Sequence, residues 1–277
     1  MWKHSTILKK DKIEAVAIGG FDGIHIAHRT LIEKTGKNGA VVVIDKNYAN
    51  ITPKEYRCLY IDKPCVFLDL DKIKNLSGKE FIKMLETEFT NLKKIIVGYD
   101  FRFGKNRSCK AEDLTRLFKG SVEIVDEIKS EGISVHSKVI REYIKKADLK
   151  RVKKLLGRDY SIFGEVVSGL GIGKKRLVAT LNLDNDGFLL PKEGVYASFT
   201  KISSCLYPSV TFIGKRESID GSFSVETHLI DEFVKDVEEV EIVFIKYLRE
   251  NRKFDDLGEL KKQILTDIKT AKKVLGL

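Results

Sequence analysis

The chain has 277 residues, 43% of them hydrophobic, which can bury one large core or two ordinary ones, and two domains are the default expectation. No apolar run reaches the ~20 residues of a membrane-spanning helix, and the opening Met1-Trp2-Lys3-His4-Ser5 is too polar for a secretory signal, so a cytoplasmic protein with no membrane partner is expected. The net charge of +10 is confined to one half: residues 1–157 carry 32 Lys+Arg against 21 Asp+Glu, and residues 158–277 carry 18 against 19. In chain order, Ile13 to Ile18, Ala40 to Ile44, Cys65 to Leu68 and Lys94 to Val97 read as short buried strands. Helical patterns fall between them and after them, at about 27 to 35, 78 to 89 and 111 to 118. That order predicts a Rossmann-type parallel sheet with helices on both faces, and a ligand site beyond the carboxyl ends of its strands.

A basic helical stretch from Ser137 to Leu156 closes this half. From Tyr160 the strands become closely spaced, with Gly, Asn and Asp between them: Ser161 to Val167, Leu177 to Leu183, Gly194 to Ala197, Ser209 to Ile213, Ser222 to Ile230 and Glu239 to Leu248. These predict a small antiparallel barrel, covered on one side by an amphipathic helix from about Leu257 to Leu275. The expected domains are thus residues 1–157 and 158–277. The basic surplus of the first suits either a partner bearing phosphates or a solvated lysine-rich surface. Nucleic acid is not expected, because no helix-turn-helix, zinc-finger or RNA-binding aromatic motif is present. Cys58, Cys65, Cys109 and Cys205 lack CxxC spacing and read as ordinary reduced residues. Oligomeric state is not legible.

Directly after the first strand comes Gly19-Gly20-Phe21-Asp22-Gly23-Ile24-His25-Ile26-Ala27-His28. The glycines allow a tight turn against a ligand, and the helix start beyond them offers unpaired N–H groups and a positive dipole end suited to phosphate. His25 and His28 share a helix face, where two imidazoles can donate to a triphosphate; the same pair could be packed side chains or half of a metal site. The stretch resembles the GxFDGxHxGH signature of the HxGH nucleotidyltransferases, as found in bacterial FAD synthetases, with Ala27 in place of Gly. Val97-Gly98-Tyr99-Asp100-Phe101-Arg102-Phe103-Gly104, with Arg107, resembles the same family's VGxDFRFGxxR loop. Ser137-Lys138-Val139-Ile140-Arg141 resembles its S-S/T-x-x-R element, with Lys138 for the small hydroxyl residue. Where the family carries TFxPHP, this chain reads Val43-Ile44-Asp45-Lys46-Asn47-Tyr48, without the histidine or prolines.

The second half resembles the riboflavin kinase module of the bifunctional enzymes. Leu155 to Gly169 is similar to LLGRPYxIxGxVVxG, and Gly169 to Asn182 falls on the stretch ending GFPTAN, with Thr180 and Asn182 matched and Leu177, Val178, Ala179 and Leu181 replacing Gly, Phe, Pro and Ala. Ser224-Val225-Glu226-Thr227-His228 is similar to the EVHLLDF strand, and Val243 to Phe254, with Arg249, to VxFxxxLRxExKF. The resemblance covers about residues 13 to 272. It implies that the second domain makes FMN from riboflavin and ATP, and that the first joins AMP from ATP to FMN, giving FAD. Under it, His25, His28 and Glu226 are catalytic, Glu226 as general base. Nucleotide binding falls to Gly19, Phe21, Asp22, Gly23, Ser137, Lys138, Arg141, Gly173, Thr180 and Asn182, and flavin binding to Asp100, Phe101, Arg102, Phe103 and Arg249. Mg²⁺ is the implied cofactor, held with ATP by the hard oxygens of Thr180 and Asn182. The alternatives are a single surviving activity, the adenylyltransferase rather than the kinase, or a flavin- or nucleotide-binding regulator without turnover.

Overall fold

The computed structural model describes residues 10–46, 48–167, 178–185, 187–232, 234 and 236–277, which separate into two units, Met1–Ser137 and Lys138–Leu277. In the first, β1 (Ala15–Gly19), β2 (Gly39–Asp45), β3 (Cys65–Asp69), β4 (Lys94–Gly98) and β5 (Ser121–Val125) form a parallel sheet in the order β3-β2-β1-β4-β5. The apolar runs of β1, β2 and β4 belong to strands buried on both faces, while the edge strand β3 is half-buried. Val16, Ile18, Val42, Ile44, Ile95 and Val97 pack on one side with Phe81, Ile82 and Leu85. Ala15, Ala17, Val41, Val43 and Ile96 pack on the other with Leu31 and Ile32. Those partners come from α1 (Ile26–Glu33) and α2 (Gly78–Glu88); α2 is started by a capping box in which Ser77 and Glu80 exchange side-chain and backbone bonds.

The fifth strand was not legible. Its Ser-Val-Glu-Ile-Val at the sheet edge is half-exposed and alternates polar with apolar, so it lacks the continuous run that marks β1 to β4. The helix expected over 111–118 shrinks to a single α turn, Leu114–Leu117, after a 3-10 turn. Between β1 and β4 the strand order reverses direction, which is where open α/β sheets bind ligands. The segments leaving those two strands are the glycine turn and the loop from Tyr99 to Arg107.

In the second unit the basic helical stretch divides into α3 (Ser137–Lys145) and α4 (Leu149–Leu156). Ala147 adopts φ +54° and Asp148 caps the next helix by accepting from the Arg151 N–H, so a turn replaces the continuous helix expected there. Gly157 in the left-handed region ends α4. The strands β6 (Tyr160–Val167), β7 (Leu181–Asp184), β8 (Gly194–Ile202), β9 (Cys205–Lys215), β10 (Phe223–Leu229) and β11 (Glu239–Arg249) close into an antiparallel barrel in the order β6-β7-β10-β9-β8-β11. The strand expected from Leu177 starts at Leu181, and residue 177 lies outside the described residues. Helix α5 (Leu257–Leu275) sets Ile268, Ala271 and Val274 against Val195, Ala197 and Val210.

Inside the barrel five hydroxyl residues are fully buried: Ser198, Thr200, Ser209, Thr211 and Thr227. They close a ring. Thr211 donates to Thr227 at 3.1 Å, Thr227 and Thr200 lie 2.9 Å apart, and Thr200 donates to Ser209 at 2.9 Å. Ser209 and Ser198 lie 2.8 Å apart, as do Ser198 and Thr211. Running donors in one direction satisfies every hydroxyl once as donor and once as acceptor, which is what allows polar groups in a dry interior.

Candidate active sites

The glycine turn is held in a backbone shape that few residues adopt: Phe21, Gly23 and Ile24 have φ of +51°, +90° and +40°. Left-handed non-glycine residues of this kind gather where the surrounding structure enforces them. The Phe21 ring is buried in the core beneath the turn, and the Asp22 carboxylate accepts from the N–H groups of Asn50, Ile51 and Thr52 at 3.4, 3.0 and 3.0 Å. Ser137 donates its hydroxyl to the Asp22 carbonyl at 2.8 Å. These groups brace the turn, and Gly19, Gly20 and Gly23 present its backbone.

His25 is the N-cap of α1, its Nδ1 accepting from the His28 N–H at 3.3 Å. In the neutral ring the proton therefore sits on Nε2. The two imidazoles stack face to face, with centroids 3.5 Å apart and 15° between planes. His28 is half-buried, and its Nδ1 has no hydrogen-bond partner among the described residues. Burial first, then the nearby His25 and His136, push its pKa well below the ordinary histidine range. His136 was missed in the sequence. It precedes Ser137, and its Nε2 lies 3.0 Å from the Tyr99 hydroxyl, so the loop after β4 and the segment entering α3 meet at the turn's third imidazole. A histidine next to the motif serine Ser137 was the available signal.

The loop after β4 is a hairpin, Arg102–Phe103 paired with Cys109–Lys110. Phe103 is only 5% exposed and packs against Phe81, so its ring belongs to the core. Phe101, half-buried and stacked on Phe103 at 5.8 Å, and the exposed Asp100 and Arg102 are the parts of this segment open to a ligand. Lys138 is exposed and Arg141 half-buried on α3.

In the barrel, a cleft of about 160 Å³ is lined by Thr180, Asn182, Glu226, His228, Arg216, Arg249 and Phe254 among others. Asn182 and Glu226 are directly opposed in the β7–β10 ladder, and Thr180, just before β7, donates to Glu226 at 3.5 Å. The expected trio therefore converges. Gly173 lies outside the described residues. Arg216 places Nη1 3.3 Å from Glu226 and donates to Ser222 and Asp220, holding the β9–β10 loop closed beside the carboxylate. His228, to which the family resemblance assigns no role, has Nδ1 2.8 Å from the Ala179 carbonyl and so anchors the approach to Thr180. Arg249 grips Asp267 of α5 with both ends of its fork, at 2.9 and 2.7 Å, and Gln263 donates to the same carboxylate. Its guanidinium thus fastens the helix to the barrel at the cleft wall. Among the described residues no cluster of three or more His, Cys, Asp or Glu could hold a metal ion. The hard oxygens of Thr180 and Asn182 fit Mg²⁺ only as partners of a nucleotide that brings its own phosphates.

Two family models match the chain, FAD synthetase over residues 45–139 and riboflavin kinase over residues 156–275. A bifunctional riboflavin kinase/FMN adenylyltransferase from Buchnera aphidicola is 30% identical, over 95% of this chain and 94% of that protein. The Escherichia coli K12 protein of the same name is 29% identical, over 95% and 93%. A crystal structure of a Streptococcus pneumoniae protein described as macrolide-efflux superposes with a TM-score of 0.82 at 26% identity, covering 94% of each chain. Efflux is said of that protein; among the described residues here, no helix is long and apolar enough to cross a membrane.

Proposed function

The chain belongs to the family of bifunctional riboflavin kinases/FMN adenylyltransferases, and from that premise we propose how its residues divide the two reactions. It phosphorylates riboflavin to FMN with ATP and adenylylates FMN to FAD. The observation that carries the assignment of residues is the convergence of Thr180, Asn182 and Glu226 on one cleft in the second unit, while the glycine turn and its stacked histidines occupy the strand-order reversal of the first.

In the barrel, Glu226 takes the proton from the ribityl hydroxyl of riboflavin as that oxygen attacks the γ-phosphorus of ATP. Thr180 and Asn182 orient the phosphates; with the nucleotide in place these two side chains would hold Mg²⁺, which would offset the phosphate charge. In the first unit, a phosphate oxygen of FMN bonds to the α-phosphorus of ATP as the bond to pyrophosphate breaks. The turn's amides and the start of α1 bind the triphosphate, His25 and His28 stabilise the charge that builds on it, and Ser137 adds a donor. Phe101 offers its face to the isoalloxazine ring, flanked by Asp100 and Arg102. No protein side chain acts as a covalent nucleophile in either reaction. We assign the domain division to residues 1–157 and 158–277 and the enzyme to the cytoplasm.

Incubation of the full chain with riboflavin, ATP and Mg²⁺, followed by chromatography, is expected to show FMN and then FAD. Glu226→Gln is expected to abolish FMN formation while sparing FAD formation from supplied FMN, and His28→Asn to do the reverse. Loss of both products in either variant would refute the division.

A further inference from the structure

Among the described residues Arg57 is one of the largest fully buried side chains, 1% exposed, and it lies under the glycine turn. A guanidinium does not shed its charge, so a buried one must be matched by partners. Arg57 has four. Nε donates to the Lys54 carbonyl at 2.9 Å and Nη1 to the Gly20 carbonyl at 3.0 Å. Nη2 lies 3.0 Å from the Asp45 carboxylate, an ion pair whose angle falls outside hydrogen-bond geometry. The guanidinium plane also lies over the Phe67 ring at 5.0 Å. Asp45 ends β2 and Gly20 follows β1, so this one side chain ties together the ends of two adjacent strands at the site.

The bond to Gly20 has a geometric consequence. All peptide bonds described are trans, so the carbonyl of Gly20 and the N–H of Phe21 point in opposite directions. Pinning the carbonyl toward the buried guanidinium turns that N–H away from it. From the same segment, the amides of Asn50, Ile51 and Thr52 hold the Asp22 carboxylate. Residues 50–57 thus grip the turn through both polarities, donors to a side-chain anion and a cation to a backbone carbonyl, on either side of the strained Phe21.

We propose that Arg57 is a positioning residue for adenylyl transfer: through the Gly20 carbonyl it sets the orientation of the turn amides that receive the triphosphate of ATP, with Asp45 fixing the guanidinium in register. The proposal rests on the reading of the glycine turn as the adenylyl-transfer site. In this chain the end of β2 carries the Asp45–Arg57 pair in place of the histidine and prolines that the resemblance would put there.

The test uses the full-length chain, FMN, ATP and Mg²⁺, with riboflavin phosphorylation in the same preparation as internal control. Arg57→Lys keeps the charge but loses the fork, Arg57→Met keeps the bulk alone, and Asp45→Asn removes the counter-charge. A misplaced phosphate-binding amide is expected to raise KM for ATP and lower kcat/KM for FAD formation ~10-fold in Arg57→Lys, ~100-fold in Arg57→Met and less in Asp45→Asn, with FMN formation unchanged. A strut that only held the fold would reduce the folded fraction, which lowers kcat and leaves KM alone. An unchanged KM for ATP in Arg57→Lys and Asp45→Asn overturns the proposal, even if Arg57→Met fails to fold. A wild-type chain that forms no FAD from FMN overturns the site reading beneath it instead.

Discussion

The ring of hydroxyls inside the barrel makes an unequal prediction for two chemically identical changes, Thr200→Val and Thr211→Val. Both are isosteric and both remove one member of the ring. In the direction that satisfies every member, Thr227 donates to Thr200, so Thr200→Val leaves the Thr227 hydrogen facing an apolar methyl in a fully buried site. An orphaned buried donor costs about 1–3 kcal/mol, and with the lost pair of bonds the expected destabilisation is about 2–3 kcal/mol. Thr211 receives its bond from Ser198, and Ser198 has a second acceptor within reach, the Ser209 carbonyl at 3.2 Å. On Thr211→Val the Ser198 hydroxyl turns to that carbonyl, Thr227 loses only an incoming donor, and the expected cost is about 0.5–1 kcal/mol. At roughly 3 °C per kcal/mol for a unit of this size, calorimetry of the full chain should show the barrel transition falling by about 6–9 °C for the first variant and by about 3 °C or less for the second. Thr227 lies between Glu226 and His228 on β10, so the ring also steadies the strand that carries the general base. Equal losses, or a greater loss for Thr211→Val, would refute the donor order.

Burial holds His28 neutral in the free protein near about pH 7, and a triphosphate favours its charged form, so ATP binding should take up a proton. Calorimetric titrations in buffers of different ionisation enthalpy measure that uptake, and His28→Asn should remove it. The sign for stability follows from the same shift. The unfolded histidine binds its proton at higher pH than the folded one, so the first unit should lose stability as pH falls below about 6.5, and less steeply in His28→Asn. Asp267→Asn strips the counter-charge from Arg249 at the α5–barrel contact and is expected to cost about 3 kcal/mol, with faster hydrogen exchange in α5. Phe103→Ala should destabilise the first unit by about 3–5 kcal/mol as a core deletion, whereas Phe101→Ala should chiefly raise KM for FMN; the opposite pattern would exchange their roles. Arg216→Met releases Glu226 and the β9–β10 loop and should slow FMN formation ~10-fold while leaving FAD formation from FMN intact.

The parallel sheet, the closed barrel and the covering helix were legible because each rests on a periodicity. Unbroken apolar runs mark β1 to β4, turn residues punctuate β6 to β11, and helical spacing marks α5. What stayed hidden was pairing. Asp22, Phe103 and Arg249 match motif positions of a ligand site, yet the carboxylate of Asp22 is taken by three amides, the ring of Phe103 lies in the core and the fork of Arg249 closes on Asp267. A motif records which residue types a site needs and is silent on whether a side chain faces the ligand or braces the one that does.

The same silence covers the residues the motifs omit. Arg57, Arg216 and His136 each stand beside a recognised position, and nothing in composition marks the two arginines among the chain's 50 Lys and Arg. One local clue existed for Arg57. Asp45 ends an apolar strand, Val41 to Ile44, that is buried on both faces, and a carboxylate there calls for a counter-charge that no neighbour in sequence provides except Lys46. A cation one residue along a strand points to the opposite side, so the partner had to come from elsewhere in the chain. It comes from twelve residues on, in a 3-10 turn whose place no periodicity marks, and this distance explains why the bracing of the phosphate turn emerges only with the fold.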